Sequence, residues 1–445
     1  MSPTQMQLSR REMLSHFGLG VLGSCCAGWL PAFASQLASD PQRKRHCILL
    51  WMNGGPSQID TFDMKPQHEN GGEFKEAQTR VPGLRFSEHL PKLAEHADRL
   101  AIVRSLSTKE GDHARGTHLV RTGQTPMGDV AYPSIACSLA KELAHSESQL
   151  PSYVSVAPRA EISPPAFGPG FLGQKYAPAI VDGIALTEGV SATDTNGRIA
   201  ELRMDNIHLP SGVAPRQAER RMQLWRELED GFFRQRTASS LRAHHDLYLK
   251  AAGLMTPEVR DAFDLSREPQ HVRSRYGPGL FGQGCLLARR LVQRGVPFVE
   301  VALGDGLAWD THDDNFTKVQ RLSAELDAGW STLMTELDER GLLDSTTILW
   351  MGEFGRTPKI NGNGGRDHFP SAWSCVLAGG GIAGGQAYGR TSPDGSVVEE
   401  NRVEIGDVLA TLSTAVGVSP DAENVTGADR PIKIAEGEPI DEILA

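Results

Sequence analysis

Basic residues are in the minority: 45 Lys and Arg face 55 Asp and Glu, a formal net charge of −10. A chain of that sign does not carry the basic footprint that nucleic acid or an anionic membrane surface requires. A local cationic pocket for a small anion remains compatible with it. Aromatics are scarce, at 6%. Past the N-terminus no apolar run approaches the ~20 residues of a membrane-spanning helix. Cysteine is sparse as well. Outside the first 34 residues only Cys47, Cys137, Cys285 and Cys375 remain, far apart and in no C-x-x-C pair. That spacing speaks against a thiolate zinc cage. Cys47 and Cys375 lie in apolar runs and read as small buried hydrophobes, while one disulfide stays open as an alternative. There is no G-x-S-x-G, no H-E-x-x-H and no Walker loop. The glycines from Gly379 to Gly385 precede no helical pattern, so they read as a turn and not as a dinucleotide loop.

What is present begins with an export signal. Arg10-Arg11 lead into a mildly apolar, glycine-containing stretch from Phe17 to Leu30, and Ala32-Phe33-Ala34 gives an A-x-A cleavage site. Paired arginines before a mild apolar region resemble the twin-arginine route, so residues 1–34 are read as a signal peptide and the mature protein as periplasmic or extracellular. Leu22-Gly23-Ser24-Cys25 loosely matches a lipobox. A membrane partner is expected only if Cys25 is lipidated.

The mature chain, 35–445, reads as one α/β domain. Cys47 to Met52 is a continuous apolar run ending in Asn53-Gly54-Gly55-Pro56, the pattern of a strand buried on both faces. Phe298 to Leu303 and Thr346 to Met351 repeat it. Between them Phe316, Val319, Leu322, Leu326, Trp330, Leu333 and Leu337 recur at helical spacing, closed by Gly341. Strand, helix, strand predicts a βαβ unit and a mostly parallel central sheet flanked by helices. Ser374 to Ala378 predicts one more strand. Residues 205–255 are rich in charge and read as a helical insertion.

Polar clusters fall after these strands, where α/β sheets bind ligands. They are Asn53 with Ser57, Asp60 and Asp63; His113 and His118; Asp310, His312 and Asp313; Glu353 and Arg356; and Arg366, Asp367 and His368. Carboxylate with imidazole suits Zn, Mn or a similar divalent ion, and Ca is kept among the candidates. Arginine suits a tetrahedral oxyanion. Asp310, His312, Glu353, His368, Asn53 and Asp60 are therefore the candidate metal ligands. His113, Arg356 and Arg366 are the candidate catalytic groups. Each has a plainer reading too: Asp310 and Asp313 as helix caps, Glu353 as a partner of Arg356, Ser57 as a turn residue.

These same stretches carry a family resemblance. Gly54-Gly55-Pro56-Ser57 to Asp63, Thr122-Gly123, Trp309-Asp310-Thr311-His312, Glu353-Phe354-Gly355-Arg356-Thr357-Pro358 and Gly365-Arg366-Asp367-His368 resemble an exported bacterial family catalogued as domain of unknown function fifteen-oh-one. That family is similar to the alkaline phosphatase and sulfatase superfamily, which implies a metal site at the carboxyl edge of the sheet and hydrolysis of anionic phosphate or sulfate esters. By that resemblance Asp310 and His312 match one ligand loop, at shorter spacing, and Gly364 to His368 match a late Gly-Gly-x-x-His motif. Three departures accompany it. Asn53 stands where an Asp is expected, Phe354 replaces an imidazole, and the stretch around His113 replaces the nucleophile. The alternative is therefore a non-catalytic binding or assembly protein that keeps the fold with a degenerate site.

Overall fold

In the computed structural model, residues 45–126, 130–145, 148–184, 199–233, 245 and 248–445 are described. The expected signal segment, residues 1–34 with Arg10, Arg11 and Cys25, lies outside them. The first apolar run forms β1 (His46–Met52), and its seven residues are all buried. Alternation splits it between two cores. Ile48, Leu50 and Met52 join one apolar cluster, and Cys47, Leu49 and Trp51 join another on the opposite face. A strand with apolar surface on both sides needs a layer of helices on each, which is why its sequence shows no polar alternation.

Eight further strands complete the sheet: β2 (Leu100–Leu106), β3 (Tyr153–Val156), β4 (Ala179–Ile184), β5 (Glu201–Arg203), β6 (Phe298–Leu303), β7 (Thr346–Met351), β8 (Trp373–Gly379) and β9 (Gln386–Tyr388). Their order among the described residues is β9-β2-β8-β7-β1-β6-β3-β4-β5. β1 pairs in parallel with both β6 and β7. The expected βαβ unit is therefore present, but β1 is inserted between its two strands. β8 runs antiparallel to β7 and to β2. Two reversals restore direction, so β2, β7, β1 and β6 all end on the same edge.

Six helices are used below: α1 (His113–Thr122), α2 (Ile135–Leu143), α3 (Pro215–Phe233), α4 (Leu280–Gln293), α5 (Asn315–Glu339) and α6 (Ile405–Ala415). Phe281 and Leu286 of α4 and Leu326 and Trp330 of α5 fill the first core. Val120, Leu139, Val408 and Leu412, from α1, α2 and α6, fill the second. Each such side chain contributes roughly 1.5–3 kcal/mol of burial. The four cysteines are buried free thiols, so the disulfide alternative does not apply to them. Within 205–255, α3 is helical and exposes Leu224 and Leu228, while 234–244 and 246–247 lie outside the described residues.

Candidate metal centre

Four loops reach the common sheet edge and bring together groups far apart in sequence. β2 leads into α1, whose first residue is His113 and whose N-cap, Asp112, accepts the Arg115 N–H at 3.0 Å. The loop after β6 supplies Asp310 and His312. The loop after β7 supplies Glu353 and Arg356, and a two-residue ribbon pairs Arg356 with His368. The turn after β1 must be glycine, because a Cβ on Gly54 (φ 105°) would stand 2.6 Å from the Asp310 backbone nitrogen.

His113, Asp310 and His368 each direct one donor atom at a common point, all within 4.8 Å of one another. Asp310 Oδ1 lies 3.1 Å from His368 Nε2 and 3.0 Å from His312 Nε2, and its Oδ2 lies 3.3 Å from His113 Nε2. The outward nitrogens are all held. His113 Nδ1 donates to Glu353 Oε1 at 2.7 Å, His368 Nδ1 to the Gly111 carbonyl at 2.7 Å, and His312 Nδ1 to Asp367 Oδ1 at 2.7 Å. Carboxylates and carbonyls only accept, so each Nδ1 carries its proton. In the neutral tautomer each Nε2 then presents a lone pair inward.

Lone pairs facing a carboxylate repel unless protons or a cation lie between them. His312 Nε2 and His368 Nε2 are only 3.1 Å apart, and His113 Nε2 is buried without an aligned hydrogen bond. Burial works against a charged His113, but Asp310 and Glu353 outweigh it and push the imidazole pKa up to about 9. Partial burial likewise works to raise Asp310. The imidazoles of His113 and His368 and the charge of Arg356 override that and hold it well below the usual carboxylate range. The site attracts positive charge, and the orphaned Nε2 fits a metal ligand.

Several expected residues stand elsewhere. Glu353 is buried behind His113 and accepts the Gly54 N–H at 3.0 Å, so it orients a donor and does not join the converging group. Arg366, expected to grip an anion, has all five N–H donors engaged by Asp60, by Asn70 O and by the carbonyls of Thr357 and Pro358. Asp60 accepts from Arg366 at 2.7 Å and from Asn315 at 2.8 Å, and neither member of the Asp60–Arg366 pair is exposed. Both are thus cross-links between loops and not a ligand and an anion clamp, because both Asp60 oxygens and every Arg366 N–H are already engaged by protein partners. Arg356 is fully buried, bonded to the Gly54 and Gly55 carbonyls and 2.6 Å from Asp310 Oδ1. It fixes Asp310 and offers no open face to an anion.

Asn53 Nδ2 donates to Gly304 O at 3.1 Å, and its buried Oδ1 has no partner among the described residues. Ser57 is buried, its Oγ accepting the Asp60 N–H at 3.3 Å, as a turn residue does. Asp313 pairs with Lys318, while Asp314 is the N-cap of α5. Phe354 packs its ring 5.0 Å from His113 and 4.7 Å from His368, an apolar wall behind both. Gly111, whose carbonyl orients His368, had no signal in the sequence, because a backbone acceptor has no residue-type signature.

A mixed α/β domain with an imidazole–carboxylate donor group at the carboxyl edge of its sheet is the class these observations define. The chain belongs to the family described as Protein of unknown function (DUF1501), which it matches over residues 44–444. Comparison with curated proteins gives no match. Among solved structures it is similar to the PsFucS1 sulfatase from Pseudoalteromonas sp. (13% identity, 87% of this chain and 70% of that one, TM-score 0.41). It is also similar to a protein in the alkaline phosphatase superfamily from Vibrio parahaemolyticus (10%, 85% and 68%, TM-score 0.38). A third is the phosphonate monoester hydrolase SpPMH from Silicibacter pomeroyi (11%, 89% and 76%, TM-score 0.35).

Proposed function

We propose that the protein is an exported, metal-dependent hydrolase of phosphate or sulfate esters, with one divalent ion held by His113, Asp310 and His368. The observation that supports this most is the convergence of one donor atom each from His113, Asp310 and His368, with both imidazoles fixed from behind through Nδ1. Three protein ligands with an open side is the pattern of catalytic and not structural zinc sites. Imidazole donors suit Zn or Mn, whereas Ca prefers six to eight oxygens and is the poorest fit of the three. When bound, such an ion supplies Lewis-acid stabilisation of charge on the ester oxygens.

The chain's own residues do the rest. Glu353 and Gly111 O lock the tautomers of His113 and His368, and Arg356 holds Asp310. His312 is the outermost group, its side chain 45% exposed. With Nδ1 donated to Asp367, its Nε2, 3.0 Å from Asp310 Oδ1, belongs to the most exposed of the three imidazoles and takes the proton of an attacking water, and Asp367 stabilises the imidazolium that forms. His312 is thus the base in this reading and His113 the ligand, the reverse of the roles expected from sequence.

Metal content of the purified mature protein and turnover of p-nitrophenyl phosphate and p-nitrophenyl sulfate test it. Stoichiometric Zn or Mn is expected, lost in His368→Ala. In His312→Ala the metal stays and turnover goes. No metal and no turnover after adding either ion would overturn the proposal. A binding or assembly protein with a degenerate site is the second reading, favoured by the engagement of both Arg356 and Arg366. It predicts bound metal with no turnover of either ester.

A further inference from the structure

A polar cavity of about 530 Å³ lies beside the edge strand β9 and shares no residue with the metal centre. Its lining includes Asp63, Lys65, Arg104, Tyr388, Arg390 and Glu400. Its two ends differ in charge. At the rim the single cation Arg390 meets two carboxylates, Glu399 at 2.7 Å and Glu400 at 2.6 Å, which leaves one negative charge over, and all are well exposed. At the inner end one carboxylate serves two cations. Asp63 Oδ1 accepts from Lys65 at 2.9 Å and stands 3.9 Å from Arg104 Nε, while Oδ2 accepts from Thr391 at 2.5 Å.

At the inner end Lys65 and Arg104 against Asp63 leave one positive charge over, opposite in sign to the rim. Glu76 acts on Arg104 from beyond ion-pair distance and does not line the cavity. The side chains of Lys65 and Arg104 are only 12% and 23% exposed, so water screens that charge poorly. Donors are also spare. Arg104 commits Nε to Phe62 O and Nη2 to Arg85 O, each at 2.8 Å, and its Nη1 has no partner among the described residues. Lys65 uses one of three protons. A half-buried guanidinium edge beside an ammonium recognises an oxyanion. The Glu400 carboxylate and the Tyr388 ring suit hydroxyl groups and the apolar face of a sugar, and the volume is that of a small-ligand pocket.

We infer that this cavity binds a small hydroxyl-rich ligand bearing one oxyanion, in the class of sugar acids and sugar sulfates or phosphates. The oxyanion sits against Arg104 and Lys65 and the hydroxyls face the rim.

Calorimetric titration of the mature protein, stripped of metal with chelator, with methyl glucuronide and with neutral methyl glucoside tests this. Working without metal separates the cavity from the ester site, so failure here leaves the hydrolase reading standing. The glucuronide is expected to bind at least about tenfold more tightly than the glucoside, a factor worth about 1.4 kcal/mol. Lys65→Met should abolish that preference. Arg104→Gln should do the same, but it also removes two bonds to backbone, so Lys65→Met is the deciding variant. Equal affinity for the two ligands, no binding of glucuronide at millimolar concentration, or an unchanged preference in Lys65→Met would overturn the inference.

Discussion

Glu353 and His113 form the pair on which the centre turns. The carboxylate is buried, takes the Gly54 N–H and faces His113 Nδ1 at 2.7 Å. Glu353→Gln keeps the shape but removes the charge that raises the basicity of the ring. Second-layer changes of this kind typically cost 10–100-fold in metal affinity. We expect that loss in chelator competition, with thermal stability of the loaded protein falling in step; unchanged affinity would mean that Glu353 is only a packing residue. The same pair sets a pH dependence. In the metal-free protein the His113 pKa is raised from 6.5 to about 9. A raised imidazole pKa contributes stability that is complete below pH 6.5 and is lost as pH rises through about 9. After solvent screening the loss is on the order of 2 kcal/mol. Urea midpoints of the metal-free protein should fall over that window, and His113→Gln should flatten the curve. Metal affinity should move the other way over the same window, because the ion must displace the His113 proton.

Helix α1 links this chemistry to the middle of the sheet. His113 is its first residue and Arg121 lies in its last turn. Arg121 forks onto Glu300 of β6 at 3.2 and 2.5 Å, Tyr153 donates to the same carboxylate at 2.5 Å, and Phe167 lies 3.8 Å from the guanidinium. Neither charge of the pair reaches water. Removing one alone strands the other, so Arg121→Met should cost about 3–5 kcal/mol in urea denaturation. Adding Glu300→Leu should recover most of that, leaving mainly the unpaired Tyr153 hydroxyl, worth about 1–3 kcal/mol. If the two losses simply add, the pair does not anchor α1. Legibility at this scale divides along physical lines. β1, β6, β7 and α5 were readable because burial on two faces, or on one helical stripe, writes a local pattern. The insertion of β1 between β6 and β7, and the reversal of β8, were not. Strand order is set by pairing over some 250 residues, such as Cys47 with Phe298, and leaves no local mark.

At the scale of the molecule, the clustering of polar groups after strands was legible, because one sheet edge collects the loops of every strand that ends there. Which member of each cluster touches the centre was not. Asp60 and Arg366 have the same residue types as a ligand and an anion clamp, and only their mutual 2.7 Å contact shows them to be a buried cross-link. In the proposed reading His113 and His312 exchange expected roles for a similar reason, since depth in the site is a tertiary property. A centre assembled from residues 113, 310 and 368 exists only once the whole sheet has closed. On the proposal that the protein is exported with its ion, that ion must travel in a folded protein, and the paired Arg10-Arg11 is proposed to serve that route. Replacing Arg10→Lys together with Arg11→Lys should leave full-length, metal-loaded protein in the cytoplasm and remove the mature form from the exported fraction. The mature form should begin at Ser35, as N-terminal sequencing would read it, and Cys25→Ser should not alter its release. A mature N-terminus at Cys25 carrying lipid would instead place the centre at a membrane surface. Export undiminished by the double lysine change would remove the link between metal loading and route.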